Sequence, residues 1–373
     1  MQRVCIFCET WASGGIESFL TNILTRIDLS KIEVDIVVIR LEDSIFTKRL
    51  SVLGVRFYEL AGDRKLFKEN RREFKKLLAL VKYDAIHVNT FHGGALYFLH
   101  LAKEADIPLR IAHSHNTGLR RTKSVWLKWM IHEGAKYLFV NDATDFWACS
   151  TAAAEFLFFT GKRNYPAYRI IPNGIDIQRF RFDSKERDII RDRLDVTGRT
   201  VVGNVGRLCS QKNQMFLLNV FAVFQRGCPD SSLLLVGDGE DREALEQEAR
   251  ELRIEDKTIF HTTSEHVERL LWSMDLFVFP SCFEGLGIAM VEAQAAGLPV
   301  LCSDRIPKEA SVLPFVTRLS LEEGPEKWAN ALSSCIGLIK DREVCAKLVQ
   351  NGGFDVDEVA KDIEKVYLHE KGT

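Results

Sequence analysis

Two glutamates, eight residues apart, flank a glycine turn in the sequence CFEGLGIAMVE, which spans residues 282–292. Glu284 comes just before Gly-Leu-Gly, and Glu292 lies inside the apolar run that follows. Burying an ionised carboxylate without a partner costs roughly several kcal/mol, so a buried segment does not readily accept one. The spacing therefore raises the question of which polar ligand the two carboxylates face.

The elements around the two glutamates place both near a ligand. DLFVFP predicts a strand that ends at Pro280, and the next helix is predicted to run from Gly287 to the terminator Gly297. Glu284 is then on the loop, and Glu292 faces out of the second helical turn. Free backbone N–H groups at a helix start suit phosphate, while carboxylates accept hydrogen bonds from sugar hydroxyls. The pattern predicts a pocket for a nucleotide sugar.

A second loop in the same half of the chain carries two cations. VGRLCSQKNQ overlaps the end of the apolar run TVVGNVG and places Arg207 and Lys212 after a predicted strand. An arginine fork and a lysine ammonium both suit a diphosphate, although a solvated loop with surface charges is the common alternative. The nearby turn VGDGED is interpreted as structural, with Asp238 or Asp241 capping the next helix.

Near the N-terminus, WASGGIESFL places Gly14 and Gly15 between the first predicted strand and a helix. Glycines at this position let backbone N–H groups approach a phosphate, and a plain strand-to-helix turn is the equal alternative. The segment lacks the G-x-G-x-x-G pattern of a dinucleotide site, which argues against an NAD enzyme.

These loops belong to a chain in which apolar strands alternate with helices, twice over. Such a pattern predicts an α/β protein with two parallel, doubly wound, Rossmann-like domains. We expect a first domain over residues 1–170, a link within residues 169–180, and a second domain over residues 171–354. The predicted strands are RVCIFC, VDIVVI, VRFYEL, DAIHVN and LRIAHS in the first domain, and TVVGNVG, SLLLVG, TIFH, DLFVFP and PVLCSD in the second.

Composition also favours two domains. The 373 residues exceed the roughly 250–300 that a single core supports, and contents of 46% hydrophobic and 27% charged residues are typical of a globular protein. The nine cysteines are scattered, so core thiols are expected at Cys5 and Cys8 rather than zinc or a disulfide. The first apolar run is too short for a signal peptide or a spanning helix. We expect a cytoplasmic protein.

The ordered motifs resemble those of a known family. FEGLGIAMVEAQAAGLPV looks like the E-x₇-E motif of the family 4 retaining glycosyltransferases, and GGIESFL, AHSHNT, IIPNGID, VGRLCSQKN and VGDGED match that family's motifs in the right order. The resemblance covers nearly the whole chain and is similar to bacterial capsule and exopolysaccharide transferases. It implies the GT-B fold, in which two Rossmann-like domains face a cleft. A C-terminal helix at about residues 355–373 is expected to pack back on the first domain.

The resemblance implies roles for the residues of the donor site. Glu292 would bind the ribose hydroxyls, and Glu284 would bind the hydroxyls of the donor sugar as a catalytic residue. Arg207 and Lys212 would neutralise the leaving diphosphate, also as catalytic residues. Gly15 would give a backbone N–H to phosphate from the opposite domain. The sugar and phosphate would also be held by the backbone of Gly285, Leu286 and Gly287.

Two histidines in AHSHNT are further candidates. His113 matches the family's histidine near the reacting carbon of the donor sugar, and we assign it a catalytic role. His115 is a second contact to the donor sugar or the acceptor, because H-x-H in an extended segment puts both rings on one side. The alternative for each is a buried, hydrogen-bonded structural ring.

Family members transfer the sugar with retention and without an essential metal, so the resemblance implies no cofactor and no metal beyond the nucleotide sugar. Cations, rather than a metal ion, would then stabilise the departing diphosphate. One departure from the family pattern concerns the nucleobase. The family usually has Gly after the strand TIFH, whereas this chain has Thr262 and Thr263. UDP is expected, with GDP and ADP as alternatives.

Basic residues are in excess over residues 1–170, and acidic residues are in excess over residues 171–373. Two predicted helical segments, 66–81 and 120–136, are basic, and the second also carries Trp126 and Trp129. Such segments suit an anionic membrane surface, with solvated faces and partly buried tryptophans as the alternative. No nucleic-acid motif is present. The cations expected to touch lipid are Lys68, Arg71, Arg72, Arg120, Arg121 and Lys128.

The sequence therefore predicts a retaining glycosyltransferase that moves a hexose or related sugar from a UDP-sugar to a lipid-linked saccharide. The pathway would be cell-surface polysaccharide synthesis, at the inner face of the plasma membrane. One alternative is a nucleotide-sugar hydrolase or epimerase of the same fold. The other is an inactive subunit that supports a partner enzyme, although a pure scaffold needs neither the two glutamates nor the two cations.

Overall fold

The computed structural model describes residues 1–12, 14–42, 44–119, 125–159 and 167–370. The chain forms two compact units. The first contains Met1–Gly174 together with Val356–Thr373, and the second contains Ile175–Asp355. The sequence analysis places this division after residue 170, and the structure places it after Gly174.

The first unit is built on a seven-stranded sheet with the order β3-β2-β1-β4-β5-β6-β7. Every pairing in it is parallel. The central strands are almost wholly buried, because both faces of a parallel sheet are covered by helices. The strands are β1 (Gln2–Trp11), β2 (Ile32–Leu41), β3 (Arg56–Glu59), β4 (Ala85–Thr90), β5 (Leu109–Ser114), β6 (Asp145–Ala148) and β7 (Arg169–Ile170).

Helices connect these strands and begin where the sequence offers a cap. Ser44 accepts a hydrogen bond from the Thr47 N–H at the start of the second helix, and Ser150 does the same for Ala153 at the sixth. The helices of this part of the chain are α1 (Gly15–Leu24), α2 (Ile45–Val52), α3 (Phe67–Leu80), α4 (Leu96–Glu104), α5 (Val125–Phe139) and α6 (Thr151–Phe158).

The second unit contains a six-stranded parallel sheet with the order β10-β9-β8-β11-β12-β13. Its strands are β8 (Thr200–Val205), β9 (Ser231–Val236), β10 (Thr258–His261), β11 (Leu276–Phe279), β12 (Val300–Ser303) and β13 (Val316–Leu319). Its helices are α7 (Ile177–Phe180), α8 (Ser184–Arg193), α9 (Gln214–Gly227), α10 (Arg242–Glu251), α11 (Val267–Ser273), α12 (Ile288–Ala295), α13 (Gly324–Cys335) and α14 (Cys345–Val349).

The last helix, α15 (Val356–Tyr367), returns to the first unit. Val359, Ile363 and Tyr367 recur on one face at helical spacing and are buried in the core of that unit. Gly174 permits the close approach of this helix, because a Cβ there would lie 2.7 Å from the Val356 Cα. An Arg26–Asp357 ion pair of 2.6 Å ties α15 to the residues just after α1.

The α/β fold class and both doubly wound sheets are confirmed. Each strand predicted from an apolar run is present, from β1 to β5 and from β8 to β12. The sequence analysis missed β6, β7 and β13, which are short and lie toward the sheet edges. None of the helices in the described part of the chain is long and apolar enough to span a bilayer.

In both sheets the strand order reverses between two neighbouring strands, β1 and β4 in the first unit, β8 and β11 in the second. Ligands of doubly wound sheets bind beyond the carboxyl ends of such a pair. The loops after these four strands are therefore where functional residues are expected.

Candidate active site

The loops that follow β8 and β11 are joined side by side in the second unit. The Gln211 side-chain amide donates to the Phe283 carbonyl at 3.0 Å, and the Cys282 N–H donates to the Gln211 carbonyl at 2.8 Å. Asn213 adds a bond from its side-chain amide to the Pro280 carbonyl at 3.2 Å. These bonds fix one loop against the other, which brings their functional side chains together.

Lys212 and Glu284 meet where the two loops join. The Lys212 Nζ lies 2.6 Å from the Glu284 Oε1, and only 18% and 9% of these side chains are exposed. The Lys212 ammonium also lies 4.9 Å from the centre of the Phe279 ring, within cation–π range. Because the pair is largely shielded from water, salt screens it far less than a surface pair. The structure thus places two of the predicted site residues in direct contact.

Arg207 lies in the same β8 loop but has a different partner. Its Nε is 3.1 Å from the Glu240 Oε2, and 62% of its side chain is exposed. The loop after β9, which holds Glu240, packs against the β8 loop through Gly237, whose φ is 144°. A Cβ at Gly237 would lie 2.2 Å from the Gly206 carbonyl oxygen, so this approach requires glycine. The two predicted cations therefore lie in different surroundings, one enclosed and one solvated.

The prediction that Asp238 or Asp241 caps α10 is wrong. Asp241 occupies the cap position, but its side chain accepts no capping hydrogen bond. The Asp238 carboxylate instead accepts from the Thr263 N–H at 3.0 Å and from the Thr263 hydroxyl at 3.1 Å. The threonine pair that departs from the family pattern is thus tied to the glycine turn after β9.

The Gly285, Leu286 and Gly287 turn leads into α12. Gly287 holds the cap position with a φ of 96°, a conformation that glycine adopts without strain. A Cβ at this position would also lie 3.0 Å from the Phe279 ring. The turn therefore needs glycine here both for its backbone conformation and for its packing.

Glu292 lies on α12 and is half-buried. Burial raises the pKa of Glu292 to about 7, Glu268 acts in the same direction, and the charges of Arg179 and Lys212 oppose the rise. Glu268 is itself held by Arg179, whose Nε lies 2.8 Å from its Oε2, and by the His266 ring at 3.1 Å. The carboxyl of Glu292 thus sits between an acidic and two basic neighbours and is poised to ionise near neutral pH.

In the first unit, His113 and His115 lie at the carboxyl end of β5 and just beyond it. Their ring centres are 4.0 Å apart, as the H-x-H spacing predicts. The His113 Nδ1 is 3.0 Å from the His87 Nε2, and the His115 Nε2 is 2.8 Å from the Asn89 Oδ1. Burial lowers the pKa of His115 to about 3 and that of His113 well below its ordinary value, so both rings are neutral at pH 7.

Each of these rings keeps one buried nitrogen for which the described residues supply no partner. These atoms are the His113 Nε2 and the His115 Nδ1. Buried polar atoms are nearly always hydrogen-bonded, so an orphan pair at the ligand edge of a sheet points to a polar ligand. Both roles assigned to these histidines stay predictions.

Gly15 begins α1 and is exposed, after Gly14 at the cap position. The preceding loop is held by Glu17, whose Oε1 accepts from the Ala12 N–H at 3.0 Å. This turn has space beside it, because a Cβ at Gly15 would meet no atom within 4 Å. Its predicted phosphate contact is compatible with that exposure.

Sequence reasoning missed an acidic and basic cluster at the end of β1. Glu9 is buried and lies 3.1 Å from the His92 Nε2 and 3.8 Å from the Arg64 guanidinium. Burial alone would raise the pKa of Glu9, but the charges of His92 and Arg64 lower it below its ordinary value. Arg179 and Glu268 in the second unit were also missed, although IDIQRF follows directly on a quoted motif. Their pairing spans 89 positions and leaves no local pattern.

The basic face of α3 is present as predicted. Its cations line one shallow surface depression, and they are Lys68, Arg71, Arg72, Lys75 and Lys76. Arg72 and Lys76 share Glu73, and Lys75 pairs with Glu104. Lys68 is on this face, Lys128 is exposed on α5, and Arg120 and Arg121 fall outside the described residues.

Helix α5 exposes Trp126 and Trp129, whereas the alternative to membrane contact had partly buried tryptophans. Its inner side docks through His132, whose Nδ1 accepts from the Gly93 N–H at 2.7 Å. Its outer side exposes large apolar residues, with Trp126 63% exposed. An aromatic row connects it to the basic helix, since the Tyr97 ring is 5.0 Å from Phe67 on α3 and 5.3 Å from Phe139. The exposed apolar residues are Trp126, Leu127, Trp129, Met130, Ile131, Tyr137 and Leu138.

Two doubly wound parallel domains, the second carrying a shielded Lys–Glu pair beside a helix start, are the architecture of the GT-B fold. Family models match nearly the whole chain. The model described as Glycosyltransferase Family 4 matches residues 13–179, and that described as Glycosyl transferases group 1 matches residues 186–353. The chain belongs to the family 4 glycosyltransferases.

Relatives and solved structures agree with this assignment. EpsF of Bacillus subtilis (strain 168), described as a glycosyltransferase, is 29% identical over 363 residues, which is 95% of this chain and 93% of that protein. The Escherichia coli UDP-Gal:alpha-D-GlcNAc-diphosphoundecaprenol alpha-1,3-galactosyltransferase is 25% identical over 233 residues, 61% of this chain and 60% of its own. The structure of Anabaena HepE in complex with UDP-glucose superposes with a TM-score of 0.78 at 20% identity, covering 99% of this chain and all of that one.

Proposed function

We propose that the protein is a retaining glycosyltransferase that moves a hexose or related sugar from a UDP-sugar to a lipid-linked saccharide. The observation that carries this proposal is the shielded Lys212–Glu284 pair at the strand-order reversal of the second unit. The complex of HepE with UDP-glucose supports a UDP-sugar donor, and the Escherichia coli relative's diphosphoundecaprenol acceptor supports a lipid-linked one.

The two ends of the pair suit the two ends of a sugar diphosphate. The Lys212 ammonium neutralises the departing diphosphate, assisted by the solvated Arg207, while Glu284 accepts hydrogen bonds from the sugar hydroxyls. Backbone groups of Gly285, Leu286 and Gly287 hold the sugar and phosphate. Glu292 accepts from the ribose hydroxyls. A preorganised cation of this kind lowers the barrier because it needs no rearrangement as the diphosphate charge develops.

The histidines of the first unit serve the sugar rather than the phosphate. His113 is neutral, so it acts as a hydrogen-bond donor or acceptor to the donor sugar and not as a fixed charge. His115 takes a second hydroxyl, of the donor sugar or the acceptor. Gly15 presents its N–H to phosphate at the start of α1.

We also propose that transfer needs no resident metal ion. The cations Lys212 and Arg207 supply positive charge for the leaving diphosphate, the task that a divalent cation performs in other transferases. Transfer should therefore keep its rate after dialysis against a chelator. A loss of activity that added Mg²⁺ or Mn²⁺ restores would overturn this part of the proposal.

A radiolabelled-donor screen tests the function. UDP-hexoses and UDP-N-acetylhexosamines, with a GDP-sugar for comparison, are incubated with the protein and a membrane extract. Label in the lipid fraction is expected, free labelled sugar would instead indicate a hydrolase, and an altered labelled UDP-sugar an epimerase. No turnover of any donor, with no thermal shift by UDP, would leave the inactive subunit as the better reading. The Lys212→Ala variant serves as the blank.

The acceptor would be reached at the inner face of the plasma membrane, in the cytoplasm. We propose that α5 lies in the headgroup region with its outer apolar side toward the acyl chains, while α3 holds anionic headgroups. The aromatic row of Phe67, Tyr97 and Phe139 keeps the apolar and basic surfaces next to each other. Lys68 and Arg71 have no carboxylate within ion-pair distance among the described residues, so their charges are available to lipid.

Vesicle flotation separates the two contributions. Binding to phosphatidylglycerol vesicles should weaken as salt rises, because screening shortens the reach of exposed charges, and the Lys68→Gln/Arg71→Gln variant should show a smaller salt dependence. The Trp126→Ser/Met130→Ser variant should lose binding at every salt concentration. Equal binding of that variant and the parent protein would mean that α5 faces another partner. Phosphatidylcholine vesicles provide the uncharged comparison.

A further inference from the structure

A buried chain of hydrogen bonds runs through the first unit from the last helix to His113. The Tyr367 hydroxyl on α15 lies 2.6 Å from the His87 Nδ1, and the His87 Nε2 lies 3.0 Å from the His113 Nδ1. All three side chains are at most 1% exposed. The remaining nitrogen, the His113 Nε2, has no partner among the described residues. The chain therefore ends on a buried nitrogen that the described residues leave without a partner.

The protons along this chain can be arranged in two orders, and either order satisfies both hydrogen bonds between the three side chains. In the first, Tyr367 donates to His87, His87 donates to His113, and the His113 Nε2 carries the proton. In the second, every bond is reversed, so that the Tyr367 hydroxyl accepts and the His113 Nε2 is bare. The two orders differ in whether the orphan nitrogen donates or accepts.

The surroundings of Tyr367 select the first order. Across the residues that the structure describes, its hydroxyl has no hydrogen-bond partner other than His87. Both orders leave the His113 Nε2 without a partner in the described residues, but the reversed order also leaves the phenol proton without an acceptor in a buried site, which costs about 1–3 kcal/mol. Burial lowers the pKa of His87 and of His113 well below their ordinary values, so neither ring takes a second proton at neutral pH.

We propose that Tyr367 and His87 are positioning residues that set the tautomer of His113, so that its Nε2–H donates to an oxygen of the donor sugar. The tautomer rests on the hydrogen-bond chain alone, and the identity of the sugar rests on the proposed function. A histidine ring is oriented by the bond that its other nitrogen makes, which gives both residues influence on the reaction without contact to the substrate.

The packing around the chain keeps the rings in place. Trp147 lies edge-on to His87 and His113, with ring centres 5.0 and 5.7 Å away. The His87 and His113 rings are nearly parallel, with ring centres 5.2 Å apart and an angle of 10° between their planes. The C-terminal helix thus supplies the first donor of a chain that ends at the sugar site.

Nitrogen NMR on the free protein with ¹⁵N-labelled histidine tests the tautomer directly. A protonated and a bare imidazole nitrogen differ widely in shift, and the His113→Asn variant assigns the signals. We expect a protonated Nε2 and a bare Nδ1 for His113. In the Tyr367→Phe variant the proton should redistribute onto Nδ1 in part of the population. A bare Nε2 in the parent protein would overturn the proposal, even if the Tyr367→Phe variant does not fold.

Kinetics test the consequence for transfer. Tyr367→Phe should lower kcat about tenfold, at the low end of the 10- to 100-fold losses that follow when the hydrogen-bond partner of a metal-binding histidine is removed. UDP affinity should stay within twofold of the parent value. The matched control is Tyr83→Phe, which removes another buried hydroxyl of this unit, bonded to Asp35 at 2.7 Å. Tyr83→Phe should keep kcat.

An equal loss of kcat in both tyrosine variants would show a stability effect and overturn the positioning role. An unchanged kcat and tautomer in Tyr367→Phe would do the same. If the parent protein transfers no sugar from any donor, the proposed function fails. The nitrogen spectrum would still decide the tautomer, so the two failures are distinguishable.

Discussion

The paired loops of the second unit and the histidine cluster of the first unit are built from different kinds of polar group. In the second unit the groups are charged and meet in pairs, as Lys212 does with Glu284 and Arg179 with Glu268. In the first unit the groups of the histidine cluster are neutral, and His113, His87 and Tyr367 bond to one another without any ion. The same topology thus carries an ionic site and a neutral one.

The difference follows from what each edge would bind. A diphosphate is charged and needs fixed cations. Sugar hydroxyls are neutral, and they are recognised through hydrogen bonds to groups whose donor or acceptor role is fixed. A buried charge within the histidine cluster would hold a strong field next to an uncharged sugar and would require its own partner, as Glu9 at the end of β1 does. Neutral imidazoles avoid that cost while still imposing direction.

The largest expected effect is on the ionic site. Lys212→Ala should lower kcat about 10²–10³-fold, the scale for the loss of one preorganised electrostatic contact. Arg207→Ala should cost less than Lys212→Ala, because its side chain is solvated and pairs with an exposed Glu240. Steady-state transfer assays with the best donor of the screen measure both.

The matched control is Lys327→Ala. Lys327 pairs with Glu323 at 2.6 Å, the same distance as Lys212 to Glu284, but on the surface of the same unit. This variant should keep its rate. Near-normal turnover in a folded variant that lacks both Lys212 and Arg207 would contradict their assigned role.

The next largest effect distinguishes the roles of the two glutamates, Glu284 and Glu292. Glu292→Ala should weaken UDP itself by about 1.5–3 kcal/mol, because the ribose contacts of a charged acceptor are lost. Glu284→Ala should leave UDP affinity nearly intact and depress transfer, since UDP lacks the sugar that Glu284 positions. Calorimetry with UDP on both variants, beside the transfer assay, measures the division.

The reverse order would mean that the two roles are exchanged. In that outcome, Glu284→Ala would lose UDP binding and Glu292→Ala would keep it. If a folded Glu292→Ala variant matched the parent protein in both assays, the carboxyl would be structural. Its raised pKa would then report burial and nothing about the nucleotide.

The sequence predicted the sheets, and the loops and helix on which the candidate residues lie, because these signals are local. Apolar runs of four to six residues define the central strands, and Glu284, Glu292, Arg207 and Lys212 stand in loops and a helix start that those strands fix. The H-x-H spacing placed the rings of His113 and His115 on one side for the same reason.

The remainder depends on contacts that leave no local pattern. Tyr367 meets His87 across 280 positions, and Glu268 meets Arg179 across 89. The apolar spacing of IEKVYLHE, residues 363–370, does not distinguish a tyrosine that closes a hydrogen-bond chain from one that fills a core. The proposed capping by Asp238 failed in the same way, because Thr263 reaches its carboxylate from another loop.

The third prediction contrasts the response of the two units to acid. His87, His113 and His115 stay neutral in the folded protein, since burial lowers their pKa values, whereas they take a proton below about pH 6.5 when unfolded. The unfolded state then binds more protons, so stability falls as the pH falls. At pH 5.5 each histidine should cost about 1.4 kcal/mol.

Glu292 has the opposite effect on how stability changes with pH. Its folded pKa of about 7 exceeds the ordinary 4.5, so the folded state binds more protons between these values and gains stability as the pH falls. Hydrogen exchange on the full chain at pH 7 and 5.5, corrected for intrinsic rates, should show β4 and β5 losing protection relative to α12. The His115→Gln variant lacks one of the three buried histidines, so its loss of protection at pH 5.5 should be smaller by the contribution of that histidine. Equal losses in both units would contradict the contrast.

The smallest effect is the pH dependence of donor binding. If the ionised Glu292 accepts the ribose hydroxyls, affinity for a UDP-sugar should rise about fivefold from pH 6 to pH 8, because an ionised acceptor binds more strongly than a neutral one. A UDP-sugar is the proper ligand here, since its diphosphate is a diester and has no ionisation near neutral pH. Glu292→Gln should bind weakly with a flat profile, and Glu284→Gln should keep the slope.

The number of protons exchanged on binding tests the same idea without relying on affinity. A ligand that binds the ionised form of Glu292 more strongly than the neutral form lowers the pKa of this residue. At pH 6.5 its binding should therefore release a fraction of a proton. Calorimetry in two buffers of different ionisation enthalpy measures that release. Proton uptake instead of release would mean that the neutral acid is the form that binds, donating to a ligand oxygen. Glu292 would then resemble the neutral donors of the first unit, and the contrast between the two edges would no longer hold at this residue.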